Sequence, residues 1–154
     1  MNNSVEFDYT IRILIIDADG ELQQRLTPRL VGDGLVVVVA ATLAAAVEAL
    51  ESKSFTVVVL EPQLPDCDEC ECLARIRSID RRVRTIVYTR GGSYELARTA
   101  VNLGVFAFLE KTGDSSDIDA VVSNVRRAAR RGFSEQFFHG MIEAAPTPLG
   151  ITHE

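Results

Sequence analysis

Residues 55–68 read FTVVVLEPQLPDCD, and this stretch decides the fold of the chain. It is an apolar, β-branched run that stops at a single carboxylate, Glu61, followed by Pro62 and a polar turn. A short apolar run with turn residues behind it is typical of a strand that is buried on both faces of a parallel sheet. In open parallel sheets, ligands and chemistry gather beyond the carboxyl ends of the strands. Glu61 therefore stands where a doubly wound domain places its binding or catalytic residues.

The composition predicts one packed domain. The 154 residues are 47% hydrophobic and 25% charged, which is enough apolar material for a core. The net charge of −6 predicts no nucleic-acid partner, because phosphates favour a basic surface. The sequence contains no secretory segment and no apolar run long enough to span a bilayer, so we expect a cytoplasmic protein without a membrane partner.

Apolar runs alternate with helical periodicity along most of the chain. Strands are predicted over residues 11–16, 35–40, 55–60, 84–88 and 105–109. Helices are predicted after residue 20 and over residues 43–51, 69–79, 93–103 and 117–131. This alternation predicts right-handed crossovers and an α/β, flavodoxin-like, doubly wound sheet of five parallel strands in the order 2-1-3-4-5. Residues 1–10 are predicted to be disordered.

Local signals predict where the helices begin and end. Asp19, Thr42 and Ser93 are expected to be N-caps, because their side-chain oxygens can accept hydrogen bonds from a first helical turn. Pro28 is expected to kink or split the first helix. Gly132 is expected to end the fifth helix.

Four motifs, all in register, resemble the receiver domain of two-component response regulators over residues 11–131. ILIIDADGE resembles the first strand with its acidic pair, and VVVLEPQLPDCDE resembles the third strand with the phosphorylation site. Thr89 stands at the family's switch Ser/Thr. GVFAFLEKT resembles the fifth strand, with Phe108 at the aromatic switch position and Lys111 at the family's lysine. The resemblance implies a signalling domain in which a carboxylate takes a phosphoryl group from histidine with the help of Mg²⁺.

Three positions depart from the family's pattern. Glu61 stands where the family carries the phosphoacceptor aspartate, Ala18 where it carries the second metal-binding acid, and Thr112 where a proline usually follows the lysine. Mg²⁺ requires near-octahedral oxygen ligands, so the alanine weakens such a site. Glutamate also reaches one methylene further than aspartate, and a displacement of that order can cost about a hundredfold in rate.

The departures predict an ion pair in place of a metal. We expect the acidic pocket formed by Asp17, Ala18 and Asp19 to hold no metal, and no cofactor is expected. The longer side chain of Glu61 is expected to meet the ammonium group of Lys111, because a paired charge is tolerated where a lone buried one is not. In a plainer interpretation, Asp17 and Glu61 only cap turns. A weaker alternative is a Mg²⁺ site with the residues Asp17, Glu61 and Gln63, or one through Asp17 and Asp19.

These features predict an atypical receiver in phosphorelay signalling, without catalysis of its own. It would not be phosphorylated at Glu61 and would act through a fixed conformation or through protein contacts. Its expected partners are a histidine kinase or a PAS-containing region, and a homodimer through the fourth helix, fifth strand and fifth helix. The alternatives are a conventional Mg²⁺-dependent phospho-accepting receiver of a larger hybrid protein and a flavodoxin-like cofactor binder. The acidic Asp17-Ala18-Asp19 turn disfavours the cofactor binder, because it would repel a phosphate.

Two further segments carry potential chemistry. The run 66–72, DCDECEC, offers three thiolates, but a tetrahedral zinc site needs four ligands, so an acidic turn with a buried Cys72 is preferred. Asp66 and Asp68 are not expected to accept phosphate. The arginines of the predicted fifth helix suit a helix C-terminus or a dimer contact; they are Arg126, Arg127, Arg130 and Arg131.

The tail has a different character. Residues 132–154 are predicted to form a linker helix and the start of a PAS-like domain, because FFHGMIEAAPTPLGI resembles the opening of such a domain. The expected whole is a longer receiver–PAS protein, and the alternative is an extra helix that packs on a dimer mate.

Overall fold

In the computed structural model, the backbone is described for residues 10–144 and the side chains for residues 10–130. Five strands and five helices alternate along this range. The strands are β1 (Arg12–Ile16), β2 (Val36–Ala40), β3 (Val57–Leu60), β4 (Arg84–Thr89) and β5 (Ala107–Glu110). The helices are α1 (Glu21–Gly32), α2 (Leu43–Ser52), α3 (Glu69–Ile79), α4 (Tyr94–Asn102) and α5 (Ser116–Ala144).

The strands form one parallel sheet in the order β2-β1-β3-β4-β5, which confirms the predicted fold class. β1 and β3 are neighbours, with Ile16 opposite Leu60. Beyond that pair, the backbone N–H of Glu61 donates to the carbonyl of Ile16 at 3.0 Å. The carboxyl ends of the first and third strands therefore lie side by side.

The core consists of two layers, one on each face of the sheet. Alternate strand residues face opposite sides because successive side chains of a strand point in opposite directions. One layer joins the sheet to α2, α3 and α4, and Leu14, Val58 and Val87 belong to it. The other joins the sheet to α1 and α5, and it contains Tyr88 and Leu30. Burial of the sheet on both faces explains why its central strands are apolar throughout.

The prediction that Pro28 splits the first helix is wrong, since α1 runs from Glu21 to Gly32 as one helix with the proline inside it. Pro28 lies on the exposed side of α1, while Leu22, Leu26 and Leu30 are buried. The carbonyl that loses its hydrogen bond is thus on the solvent side, and packing of the leucine stripe outweighs the local preference.

The prediction that Gly132 ends the fifth helix is also wrong, because α5 continues to Ala144. One glycine inside a helix costs only about 1 kcal/mol relative to alanine, which is too little to stop a long helix. Arg126 to Arg131 consequently lie in the middle of α5 and not at a helix C-terminus. The PAS-like interpretation depends on side chains after residue 130 and on residues 145–154, which lie outside the described part of the chain. The predicted disorder of residues 1–10 falls almost entirely on residues 1–9, which also lie outside it.

The predicted N-caps of the second and fourth helices are confirmed. Thr42 Oγ1 accepts from the N–H of Ala45, and Ser93 Oγ accepts from the N–H of Leu96, so both residues cap their helices. Over residues 10–144, no helix has the length and apolar character needed to cross a bilayer.

The packing of α1 leads to a testable prediction. Leu30→Ala is expected to lower the free energy of unfolding by about 2 to 5 kcal/mol, because the side chain is fully buried and its loss leaves a cavity. Urea unfolding monitored by circular dichroism measures the change. Val31→Ala is the matched control, since Val31 is the next residue of the same helix and is 55% exposed; it is expected to change stability by less than about 0.5 kcal/mol. Equal effects of the two substitutions would contradict the assigned face of α1.

Candidate functional site

Polar residues gather at the carboxyl edge of the sheet. Asp17 and Glu61 directly follow β1 and β3, Thr89 is the last residue of β4, and Lys111 directly follows β5. All but Lys111 are buried, with Asp17 and Thr89 each 1% exposed. The N–H of Lys111 donates to the carbonyl of Thr89 at 2.7 Å, which ties the β5 end to the β4 end. Phe108, the remaining predicted site residue, lies within β5 and is partly exposed.

An ion pair joins the ends of β3 and β5. The ammonium Nζ of Lys111 contacts Glu61 Oε2, and the two side chains are only 15% and 10% exposed. The ammonium group also lies 5.2 Å from the ring centroid of Tyr88, a cation–π contact. The structure therefore brings together the two residues whose pairing the sequence predicted.

Two further carboxylates, those of Asp17 and Asp19, lie close to Glu61. Carboxylate oxygens of Asp17, Asp19 and Glu61 all lie within 4.8 Å of one another. Asp17 Oδ1 is buried and accepts no hydrogen bond from any described residue. Oxygen ligands in this number suit a hard divalent cation such as Mg²⁺, so the residues present fit the metal that the fold family implies. They would hold it through Asp17, Asp19 and Glu61, while Ala18 offers no ligand and the side chain of Gln63 is exposed.

The capping role expected of Asp19 falls largely to Asp17. Asp17 Oδ2 accepts from the N–H of Leu22 at 2.8 Å and from that of Gln23 at 3.2 Å. The residue at the N-cap of α1 is Gly20, which has a φ of 81° and offers no side chain. Asp19 Oδ1 accepts only from the N–H of Glu21, at 3.0 Å. One oxygen of Asp17 thus holds α1 in place, while the other is buried and accepts no hydrogen bond from any described residue.

Close packing joins Thr89 to Phe108 through a glycine. A Cβ atom on Gly92 would lie 2.9 Å from Thr89 Cγ2 and 3.1 Å from Phe108 Cζ, so no side chain fits there without displacing them. The hydroxyl of Thr89 is buried and has no hydrogen-bond partner among the described residues. The β4–α4 loop therefore lies directly against both residues that stand at switch positions.

The turn after β5 is held by Asp117, a residue that the sequence did not single out. Its carboxylate accepts from the Thr112 hydroxyl at 2.6 Å, from the Thr112 and Gly113 N–H groups, and from the Tyr88 hydroxyl at 3.1 Å. These bonds hold the pKa of Asp117 below its usual range, with the Thr112 hydroxyl as the largest cause. Burial raises the pKa of Tyr88 to about 12. The spacing of a threonine and an aspartate five residues later was the only sequence signal.

The acids and cysteines of the β3–α3 loop have structural contacts. The two carboxylate oxygens of Asp66 accept from the N–H groups of Leu43 and Ala44, so this residue caps α2 from a distance. Asp68 caps α3. Cys72 is fully buried, and burial raises the pKa of its thiol and of the Cys67 thiol. Cys72 packs in the apolar layer between the sheet and α2, α3 and α4, as expected for an acidic turn with a buried Cys72.

Comparison with known proteins adds to this geometry. Residues 13–123 match the family described as the response regulator receiver domain. The crystal structure of a response regulator receiver domain protein (CheY-like) from Methanospirillum hungatei JF-1 has a TM-score of 0.73 and 22% identity, and the similarity covers 82% of this chain and 98% of that one. The family match favours a receiver domain over the alternative of a flavodoxin-like cofactor binder.

Curated relatives are longer proteins. The chain is 33% identical over 119 residues to the probable transcriptional regulatory protein SgaR of Hyphomicrobium methylovorum, with 75% of this chain and 56% of that protein covered. It is 34% identical over 131 residues to the C4-dicarboxylate transport transcriptional regulatory protein DctD of Pseudomonas aeruginosa, with 83% and 27% covered. The expectation of no nucleic-acid partner is contradicted by these relatives, which are transcriptional regulators. The net charge on which it rested describes only these 154 residues.

The ion pair leads to a prediction about stability. Lys111→Met is expected to lower the free energy of unfolding by about 3 kcal/mol, because it leaves three clustered carboxylates without the cation that pairs with Glu61. Glu61→Gln is expected to cost less, because it also removes one of the three clustered negative charges. Urea unfolding of both variants at neutral pH measures the difference. A larger loss for Glu61→Gln would contradict this account of the charges.

Asp117 leads to a prediction about pH. Because its folded-state pKa is lowered, its contribution to stability is present above the unfolded pKa of about 4 and is lost as the pH falls further. Asp117→Asn is therefore expected to be less stable than the wild type at pH 7, with a difference that shrinks below about pH 4. Urea unfolding at pH 7 and at several pH values below about 4 tests the prediction. A difference that stays constant would contradict the network around Asp117.

Proposed function

This chain belongs to the response regulator receiver domain family, and we propose that it is an atypical member that signals without phosphorylation of Glu61. In this proposal, the domain is held in one conformation and passes information through contacts with other protein segments, with no catalysis of its own. The family membership rests on the match over residues 13–123. The atypical character is an inference from the chemistry of the strand ends.

The observation that carries the proposal is the ion pair between Lys111 and Glu61. A carboxylate that receives a phosphoryl group must present an oxygen to the phosphorus, and this reaction depends on positioning. Glu61 Oε2 is occupied by an ammonium group, and the side chain is longer than that of the family's aspartate. An aspartate would carry a negative charge here too, but the longer glutamate carries its carboxylate further from the end of β3, toward the position that a phosphoryl group would take in a conventional receiver.

The turn after β5 supports a fixed arrangement. Lys111 lies between its backbone bond to Thr89 and the Thr112 turn, which Asp117 holds with three of its hydrogen bonds. The family's usual proline is absent here, and the Asp117 network provides the rigidity in a different way. These bonds fix the backbone at Lys111, whose side chain is 15% exposed and whose ammonium group is paired with Glu61.

A second candidate function is that of a conventional phospho-accepting receiver. One observation favours it: Asp17 Oδ1 is buried without a hydrogen-bond partner in the described part of the chain, and Asp17 lies beside the carboxylates of Asp19 and Glu61. A divalent cation bound there would offset negative charge on a transferring phosphoryl group. In that case Asp17 and Asp19 would hold the cation, and Glu61 would have to exchange Lys111 for the phosphoryl donor.

We also propose that the domain works within a regulator of transcription. The support is the similarity to SgaR and DctD, of which the chain spans 56% and 27%. Contact with DNA would then belong to a part of the protein other than the matched residues 13–123. The receiver would control that part through α5, which leaves the sheet as one continuous helix.

Phosphorylation chemistry tests the main proposal. The wild-type chain, incubated with acetyl phosphate and Mg²⁺, is expected to gain no phosphoryl group in intact-mass analysis. The double variant Ala18→Asp/Glu61→Asp restores the acids of the family's pattern, and it is expected to gain one phosphoryl group under the same conditions. The double variant shows that the assay can detect the reaction on this fold.

Stoichiometric phosphorylation of the wild type would overturn the proposal and favour the conventional receiver. A wild type that binds Mg²⁺ in calorimetry, but takes no phosphoryl group, would leave the atypical receiver standing with a bound cation. Asp17→Asn in the same titration is the control that assigns the cation to the acidic cluster.

A further inference from the structure

A cavity of about 300 Å³ lies at the opposite edge of the sheet and is surrounded by arginines. Arg84 begins β4 and lines this cavity, whereas Thr89 ends the same strand at the candidate site. Five residue steps of a strand separate the two ends, which is about 17 Å. The cavity is thus separate from the Glu61 site, and a proposal about it does not depend on the phosphorylation chemistry.

Four arginines from different parts of the chain converge on this cavity. α3, the α3–β4 turn, β4 and α5 each contribute one, and they are Arg77, Arg81, Arg84 and Arg127. Three of them lie within residues 77–84, and the fold adds Arg127 from α5 to this group. None of the described residues that line the cavity is acidic.

Two of these arginines are held in position by the fold. Arg77 donates from Nε to the carbonyl of Leu103 at 3.1 Å and from Nη1 to the carbonyl of Val83 at 2.7 Å. The guanidinium of Arg127 lies 5.4 Å from the ring centroid of Phe106. Both positive groups are therefore preorganised at the cavity, and an incoming ligand would not have to order them.

Among the described residues, no acid forms an ion pair with Arg81 or Arg127. Asp80, the acid nearest in sequence, accepts from the backbone and side chain of Arg82 instead. Within the described range, Arg81 has no ion pair or hydrogen bond. The pKa of Arg77 is lowered, first by burial and then by the positive charges of Arg81 and Arg84. Repulsion among these clustered positive charges is relieved when an anion binds between them.

The contrast between two adjacent arginines of α5 supports this interpretation. Arg126 forms a two-point ion pair with Asp33, at 2.7 and 3.1 Å. Among the residues whose side chains are described, Arg127 has only a neutral hydrogen-bond partner, the side-chain oxygen of Asn124. Arg126 is therefore satisfied within the chain, while Arg127 retains its charge for a ligand.

We propose that this arginine cavity binds a small anion that carries phosphate groups. A phosphate carries a charge of about −1.5 to −2 at neutral pH and presents several acceptor oxygens, which match the planar forks of arginine better than a single carboxylate does. The cavity volume suits a ligand of the size of pyrophosphate or a small phosphorylated metabolite and not a long polymer. A bound anion would connect β4, α3 and α5 through their arginines.

Calorimetric titration of pyrophosphate into the full chain tests the proposal, and inorganic phosphate is titrated as the smaller probe. Saturable binding at one site is expected, with an affinity that falls as NaCl is added, because the interaction is electrostatic. Arg81→Gln and Arg127→Gln are each expected to weaken pyrophosphate binding about tenfold or more, as for the loss of a charge-assisted hydrogen bond. Arg98→Gln on α4 makes the same change in net charge away from the cavity and is expected to bind within about twofold of the wild type.

Arg81→Lys separates charge from geometry, because it keeps the charge and loses the fork; it is expected to weaken binding less than Arg81→Gln. Urea unfolding of each variant checks that it is folded. Because Arg81 is exposed, the Arg81 variants are expected to fold as the wild type does. The absence of saturable binding to the full chain would overturn the proposal. So would equal weakening by Arg98→Gln, which would mean a general effect of net charge.

Discussion

An ammonium group and a carboxylate meet at the edge of the sheet with most of their surface removed from water. Neither Lys111 nor Glu61 could be left alone there, because an unpaired buried charge is far more costly than a paired one. β4 lies between β3 and β5, and β5 ends two residues further along it, because Leu60 lies opposite Val87 and Glu110 opposite Thr89. The two long side chains span β4 and this offset. The parallel register, the Asp117 turn and the tie between Lys111 and Thr89 all contribute to that placement.

The arrangement of strands could be predicted because each strand is an apolar run with a turn behind it, and two-sided burial leaves a clear pattern. The helices were harder, as Pro28 and Gly132 show. Both residues disfavour a helix by amounts that local rules express well, and in both cases the helix continues. For α1, the buried leucine stripe decides the outcome, and contacts with the sheet are not visible in a window of a few residues.

The site was predictable where it depends on strand ends and less so where it depends on loops. Glu61 and Lys111 follow strands, so topology alone brings them together. The distribution of roles between Asp17 and Asp19 depends on the left-handed turn at Gly20, which sets where each carboxylate points. Asp66 accepts hydrogen bonds from the first two residues of α2, which lie 23 and 22 residues earlier in the chain. Asp117 holds the turn after β5, which precedes it. Contacts of this kind are tertiary, and sequence spacing carries little information about them.

The length of α5 has a geometric consequence. With 29 residues and a rise of 1.5 Å for each, the helix extends over about 43 Å, so it is longer than the sheet it packs against. Adding one residue to such a helix rotates everything beyond the insertion by about 100° about the helix axis. Whatever is attached at its far end therefore takes its orientation from the helical phase counted from the arginine-bearing turn, and insertions of seven residues preserve that orientation far better than insertions of two.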